Sequence, residues 1–457
     1  MMFRRPEALV LLSLFAGCAK EAPGGGQDAT TSADTGGLPD AMEPPDAGQM
    51  DAEPVDSGVG NGCPPLGTLL DEGNNPPRRG DMAFAFDGTC NRIFMFYGDA
   101  AEPVNCNPAA SIFLEDGYTF DVATGRWAAI EIAGGDMPLK RARSAGAWDK
   151  TRGRFLVFGG RYRVGTSGSY TFLNDLWALD PATKTWEQLS AQGAAGAPSG
   201  RMNTQIIADP DHDRILVFGG GRVAASGIAF EVTNDTWAFD LGAKTWSRLG
   251  QSGTPPEARL FHVTALDPSR QRLYVFSGGG ADALTAAQFL HDMAVLDLAT
   301  DTWSTVTLNG DVPRGRIKAT LETDAARDRL VLFGGHDDGE LGNENDVWTF
   351  DLVGQSWTRQ VAGDAFNAPA IGVCDFPADF ATIDPASPER RESHVFSIHG
   401  DIAVMHGGRS DCGLVTDTWV LDLIGMTWHQ ITSSFTGMTC HRSGRTDCDM
   451  PGAKKCG

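Results

Sequence analysis

A single unit returns six times along the chain, and it leaves little freedom for the fold. Its clearest copy begins with the apolar run Phe155-Leu156-Val157-Phe158, which closes on Gly159-Gly160. After a variable loop comes Asn174-Asp175-Leu176-Trp177, in a segment ending on Asp180, and then Trp186. The unit repeats around Gly219-Gly220 with Asn234-Asp235-Thr236-Trp237 and Trp246, and around Gly278-Gly279 with His291-Asp292 and Trp303. It returns around Gly334-Gly335 with Asn345-Asp346-Val347-Trp348 and Trp357, and around Gly407-Gly408 with Asp417-Thr418-Trp419 and Trp428. A degenerate first copy reads Tyr97-Gly98-Asp99, Tyr118-Thr119-Phe120-Asp121 and Trp127. Self-similarity at a long fixed period marks an array of supersecondary units, each burying its apolar face against the next. Within a unit we read four strands. The first (a) follows an Arg, the second (b) runs into the glycine pair, the third (c) ends on Asp and the fourth (d) begins at the Trp. The turn from a to b is rich in Asp, Pro and Arg, and Asp at a turn start caps backbone N–H groups.

Repeats of this length with a glycine pair and a spaced Trp resemble the kelch repeat, one propeller blade per copy. The resemblance covers roughly residues 78–432. It implies an all-β fold, a six-bladed kelch-type β-propeller with four antiparallel strands per blade. It implies no activity, because fold and function are separable. Closure of the ring is open at this stage. Residues 66–70 mimic a fourth strand, and they either join the last blade or displace residues 428–432.

The N-terminal 18 residues read as an export signal, with Arg4 and Arg5 before an apolar run over 8–16 that is too short to span a bilayer. The ending Phe15-Ala16-Gly17-Cys18 resembles the bacterial lipobox, which makes Cys18 a lipidation candidate. The expected location is therefore the bacterial cell envelope, lipid-anchored on the periplasmic side of the outer membrane or at the cell surface. Residues 19–62 form a disordered linker of Asp, Ala, Gly and Pro, too poor in large apolar side chains to offset its ordering entropy. The propeller takes 63–432, and a cysteine-containing tail takes 433–457.

Eight further cysteines, Cys63, Cys90, Cys106, Cys374, Cys412, Cys440, Cys448 and Cys456, are an even set in a chain read as exported, and they suggest disulfides. Antiparallel strands alternate ends, so each loop belongs to one face of the ring or the other. Cys63 and Cys90 fall on the face of the a–b turns. The rest fall on the opposite face, with the pairs Cys63–Cys90 and Cys374–Cys412 expected.

That opposite face carries the long loops between b and c, and loops on a rigid scaffold are where function sits. An Arg precedes each first strand: Arg79, Arg143, Arg201, Arg259, Arg316 and Arg391. Two readings stand side by side. Either the guanidiniums ring the channel mouth and bind an anionic ligand, or each belongs to the repeat and pairs with the strand-c Asp or a loop carbonyl of a neighbouring blade. We find no copper, iron, zinc or EF-hand pattern and no readable catalytic set, so no cofactor, metal or catalytic residue is assigned. His262, His394 and His336 point toward the loop face without metal-ligand spacing. A net charge of −22 argues against nucleic acid as partner. The function expected is a non-catalytic, lipid-anchored binding module outside the cytoplasm that grips a protein or acidic glycan with its loops. The alternative is a carbohydrate-active enzyme resembling periplasmic kelch mutarotases for acidic sugars.

Overall fold

In the computed structural model the described residues are 63–101, 111–165, 169–223, 230–281, 289–337, 342–366, 381–382, 384–410, 413–433, 440–441 and 454–455. Cys18, the linker, Cys106, Cys374, Cys412, Cys448 and Cys456 lie outside them. Cys440 is described only as backbone, in a two-residue strand pairing with Lys454–Lys455.

The described chain is all-β, in six principal antiparallel sheets. Sheet 2 shows the plan: Ala145–Asp149, Arg154–Phe158, Leu176–Asp180 and Thr185–Ser190, laid side by side from the axis outward. The innermost strands are Ala83–Asp87, Ala145–Asp149, Gln205–Asp209, Val263–Asp267, Thr320–Asp324 and Val395–His399. Each touches the next, and the last touches the first. The second strands are apolar on both faces, as in Phe155-Leu156-Val157-Phe158, all fully buried, because every sheet is packed between two neighbours.

The recurring residues explain the closure. The glycine at the second position after the strand-b aromatic or Met-His end donates its N–H to the carbonyl of the Arg that opens the next sheet, so the pair in sheet 4 is Ser277-Gly278 and not Gly278-Gly279: Gly98 to Arg141, Gly160 to Arg201, Gly220 to Arg259, Gly278 to Arg316 and Gly335 to Arg391. Gly408 donates to Arg79 at 3.3 Å and completes the circle. This glycine has a positive φ, 96° at Gly160, and a Cβ there would lie 2.8 Å from the Ala142 carbonyl. Hence the first position of the pair accepts Tyr97 and Ser277 while the second stays Gly. The strand-d tryptophans seal the joints from outside. Trp246 donates to Ser190 Oγ and Trp303 to Thr236 Oγ1, both in the preceding sheet, and Trp127 donates to Thr418 Oγ1 in sheet 6.

The N-terminal segment does something neither expectation allowed. Gly67–Leu69 pairs with Arg126–Ile130 as a fifth, outermost strand of sheet 1, and residues 427–432 keep their place in sheet 6. The first and last sheets are joined instead by side chains. The Asn75 Oδ1 accepts from Thr418 Oγ1 and Thr432 Oγ1, and its Nδ2 donates to the Ser433 carbonyl. Cys63 and Cys90 form a disulfide that ties the start of the described chain to the first a–b turn.

Candidate functional site

The arginines that open the sheets do not face the channel. Arg201 is fully buried, with Nη1 and Nη2 donating to Asp235 at 2.8 and 3.1 Å, Nη1 also to the Gly219 carbonyl, and Nε to the Ser199 carbonyl. Arg79 with Asp116, Arg259 with Asp292, Arg316 with Asp346 and Arg391 with Asp417 repeat this arrangement. The same Asp accepts the indole N–H of the Trp two residues on in Trp177, Trp237, Trp348 and Trp419. This is why the Asp-x-Trp signature exists. Burial pushes the Asp235 carboxyl up, and the Arg201 hydrogen bonds and charge outweigh it, leaving a value of about 2. These groups are rivets of the scaffold, following the second of the two readings.

Sheet 2 places its rivet differently from the expectation. The guanidinium paired with Asp175 belongs to Arg141, not Arg143. The Arg-to-carbonyl spacing is 18 residues for Arg79, Arg141, Arg201, Arg259 and Arg316. Arg143 is two residues further on, and that offset is the one that opens onto the channel.

At that offset sit Asp81, Arg143, Asn203, Phe261, Lys318 and Ser393, all with left-handed φ between 54° and 60°. All six line an axial channel of about 430 Å³. Each is held by a backbone bond to the previous member: Arg143 N–H to Asp81 O, Asn203 to Arg143, Phe261 to Asn203, Lys318 to Phe261 and Ser393 to Lys318. The circle closes through the Ser393 hydroxyl, which donates to Asp81 Oδ1 at 2.8 Å. Bulky side chains in left-handed conformation cost about 1 kcal/mol or more each, and such strain concentrates at functional sites.

The electrostatics are mixed, with each cation of the circle paired to a carboxylate. Arg143 Nε donates to Asp81 Oδ2 at 3.2 Å and Lys318 Nζ to Glu392 at 2.7 Å. Both cations sit over the Phe261 ring, 5.4 Å from its centroid. Burial pushes the Asp81 carboxyl up, but Lys318, Arg143, Arg409 and Arg161 together hold it well below the usual range. Burial, reinforced by the Arg143 charge, brings Arg161 down to about 10. Deeper in the channel Glu322 has no cation beside it, and burial pushes it up to about 8.

The three histidines sit in different surroundings, and both ring nitrogens of His262 and the Nδ1 of His394 are buried without a hydrogen-bond partner among the described residues. His262 and His394 are buried, pushed down to about 3 by burial and by the neighbouring Arg259 or Arg391, and packed edge-on to Phe218 and Phe333. His394 also meets Thr320 Oγ1 at 2.8 Å, and His336 meets Asn343 Oδ1 at 2.7 Å. Among the described residues no cluster of His, Cys, Asp and Glu has metal-binding geometry.

The model of the KLHDC2/KLHL20/DRC7 kelch-repeats domain matches the chain over residues 68–278 and again over 212–370. The chain is 28% identical over 279 residues to acyl-CoA-binding domain-containing protein 4 of Arabidopsis thaliana, covering 60% of this chain and 36% of that protein. It is 28% identical over 187 residues to the Rab9 effector protein with kelch motifs of Xenopus laevis (41% and 46%). It is 24% identical over 272 residues to kelch domain-containing protein 2 of Bos taurus (56% and 61%). It therefore spans less than two thirds of these relatives' length. The relatives named here are eukaryotic, which corrects the expected placement in a bacterial cell envelope; that expectation rested on a short basic, apolar and Cys pattern alone. No helix among the described residues is long and apolar enough to cross a membrane.

Proposed function

The chain belongs to the kelch-repeat family, and on that footing we propose that it is a non-catalytic binding module whose partner protein docks on the long-loop face, over the channel mouth. Kelch repeats imply a protein-interaction scaffold. The observation that carries the placement is the mouth circle itself. Six residues of six different types, one per sheet, hold one left-handed conformation around the same opening. Arg143, Lys318 and Phe261 offer two cations and an aromatic ring, the residue types enriched where interfaces concentrate their energy.

The test compares the full chain with Arg143→Ala/Lys318→Ala and with Arg152→Ala on the opposite face, measuring capture and dissociation rate of partners recovered by crosslinking. Loss confined to the mouth variant supports the reading. Equal capture by all three proteins overturns it. A second reading, recognition of an acidic glycan, is favoured by the Arg143 and Lys318 cations at the mouth. A salt-sensitive thermal shift with sialic or uronic acid, lost in the mouth variant, is its expected sign.

A further inference from the structure

The loops of sheets 1 and 2 carry a feature that the repeat does not require. Phe113 packs edge-on to Tyr162 and Tyr170, with centroids 5.5 and 6.4 Å away, and the Tyr170 hydroxyl meets Ser111 Oγ at 3.1 Å. Two guanidiniums stack on the Tyr170 ring, Arg161 at 4.2 Å and Arg163 at 4.5 Å from its centroid. Backbone pairing fixes the cluster. Asp99 bridges to Phe113, Ala142 to Arg161, and Arg161–Tyr162 pairs with Thr171–Phe172.

Three properties set this patch apart. Apolar side chains stand out in solvent beside it, Val164 at 81% and Ile112 at 56% exposed. Its cations exceed its acids. Arg161 reaches Asp99 only at 4.0 Å, and Asp99 already accepts the N–H groups of Ala101 and Ile112 through its other oxygen. Arg163 makes no ion pair among the described residues, and its Nε, like that of Arg161, is buried without a hydrogen-bond partner. All this sits on a chain of net charge −22, where a cationic patch is locally unusual. An aromatic platform with bound guanidiniums and exposed aliphatics is the composition of an interface centre.

We propose that this patch is the docking surface for a partner segment in which a carboxylate side chain lies beside an apolar one. The carboxylate takes the Arg163 and Arg161 guanidiniums, and the apolar side chain covers Ile112 and Val164. The inference rests on the reading that the loop face recognises protein, and it assigns the contact to one side of that face and to one partner chemistry. Charge on the partner steers encounter, so association slows as salt rises.

A random dodecapeptide display library panned on the full chain tests it, with enriched peptides remeasured by fluorescence polarisation. The expected sequences carry Asp or Glu next to Leu, Ile or Phe. Arg163→Glu and Val164→Asp each weaken them at least tenfold, and Arg152→Glu on the opposite face leaves them unchanged. Val164 and Arg152 are exposed and Arg163 is partly buried against Tyr170, so thermal unfolding checks that each variant keeps the fold. Enriched peptides without acids, peptides that bind both patch variants undiminished, or no enrichment overturn the proposal. Peptides lost on Arg143→Ala/Lys318→Ala but retained by Arg163→Glu sink this inference and leave the broader reading standing.

Discussion

The two faces of the ring are built from the same residue types and use them in opposite ways. On the a–b turn face, Arg and Asp stitch one sheet to the next: Arg152 to Asp213, Arg214 to Asp301, Arg270 to Asp328 and Arg327 to Asp401. Its left-handed positions are held by Asn91, Asp213, Gln271 and Asp328 in the a–b turns and by Lys184, Lys244, Asp301, Gln355 and Met426 in the c–d turns, all of them at turn ends. On the loop face the repeated Arg–Asp pairs are sealed inside, and strained Arg, Phe, Lys and Ser surround the opening. Repetition marks the scaffold; departure from it marks the site. In sheet 1, Cys90 falls in the a–b turn where sheet 2 carries Arg152, and the Cys63–Cys90 bridge supplies the tie.

The sharpest way to break this contrast is to attack a buried rivet. Arg201→Ala leaves Asp235 buried without its partner and should cost about 3–5 kcal/mol, read as a fall in the denaturation midpoint. A loss below 1 kcal/mol would mean that the two faces use their ion pairs alike. An intermediate effect belongs to the channel between the faces. Glu322 titrates near 8 in the fold and near 4.5 when unfolded, so the folded state holds its proton longer and stability falls as pH rises from about 5 to 8. Glu322→Gln should remove that slope and raise stability at pH 8 by about 2 kcal/mol, discounted for water in the channel. His262, His394 and His406 act on the other side. Each is held neutral, at about 3, so their contribution is complete above about 6.5 and is lost as pH falls toward 3. The smallest effect is expected at the turn face. Arg152→Ala removes a solvent-exposed pair and should cost less than about 1 kcal/mol, and less still at high salt.

Much of the fold was legible because its determinants are local and periodic. The glycine pair, the Asp-x-Trp signature and the strand-d Trp each make the same contact in sheet after sheet, so counting them exposed the architecture. The second strand runs into the glycine pair as expected, over Arg154–Phe158 in sheet 2, and the first strands follow an Arg, starting at Ala145, Gln205 and Val263. Grouping Arg143 with the other repeat arginines failed because Arg141 and Arg143 both precede the strand, and only the spacing to the glycine carbonyl separates them. The mouth circle was invisible for a different reason. Asp81, Arg143, Asn203, Phe261, Lys318 and Ser393 share a backbone conformation and no chemistry, so no pattern of residue types connects them. The Phe113–Tyr162–Tyr170 cluster was missed because it joins two loops that the repeat leaves free to vary.

Because Gly67–Leu69 stays with its own sheet, the circle is locked by Gly408, Asn75 and the Trp127 indole rather than by a strand shared between the chain's two ends. During synthesis, then, the first five sheets emerge with an unsatisfied flank at either end. The Arg79 carbonyl waits for its donor until sheet 6 has left the ribosome. Truncation within that final stretch removes more than one blade's worth of stability, since it deprives the oldest part of the molecule of its last neighbour.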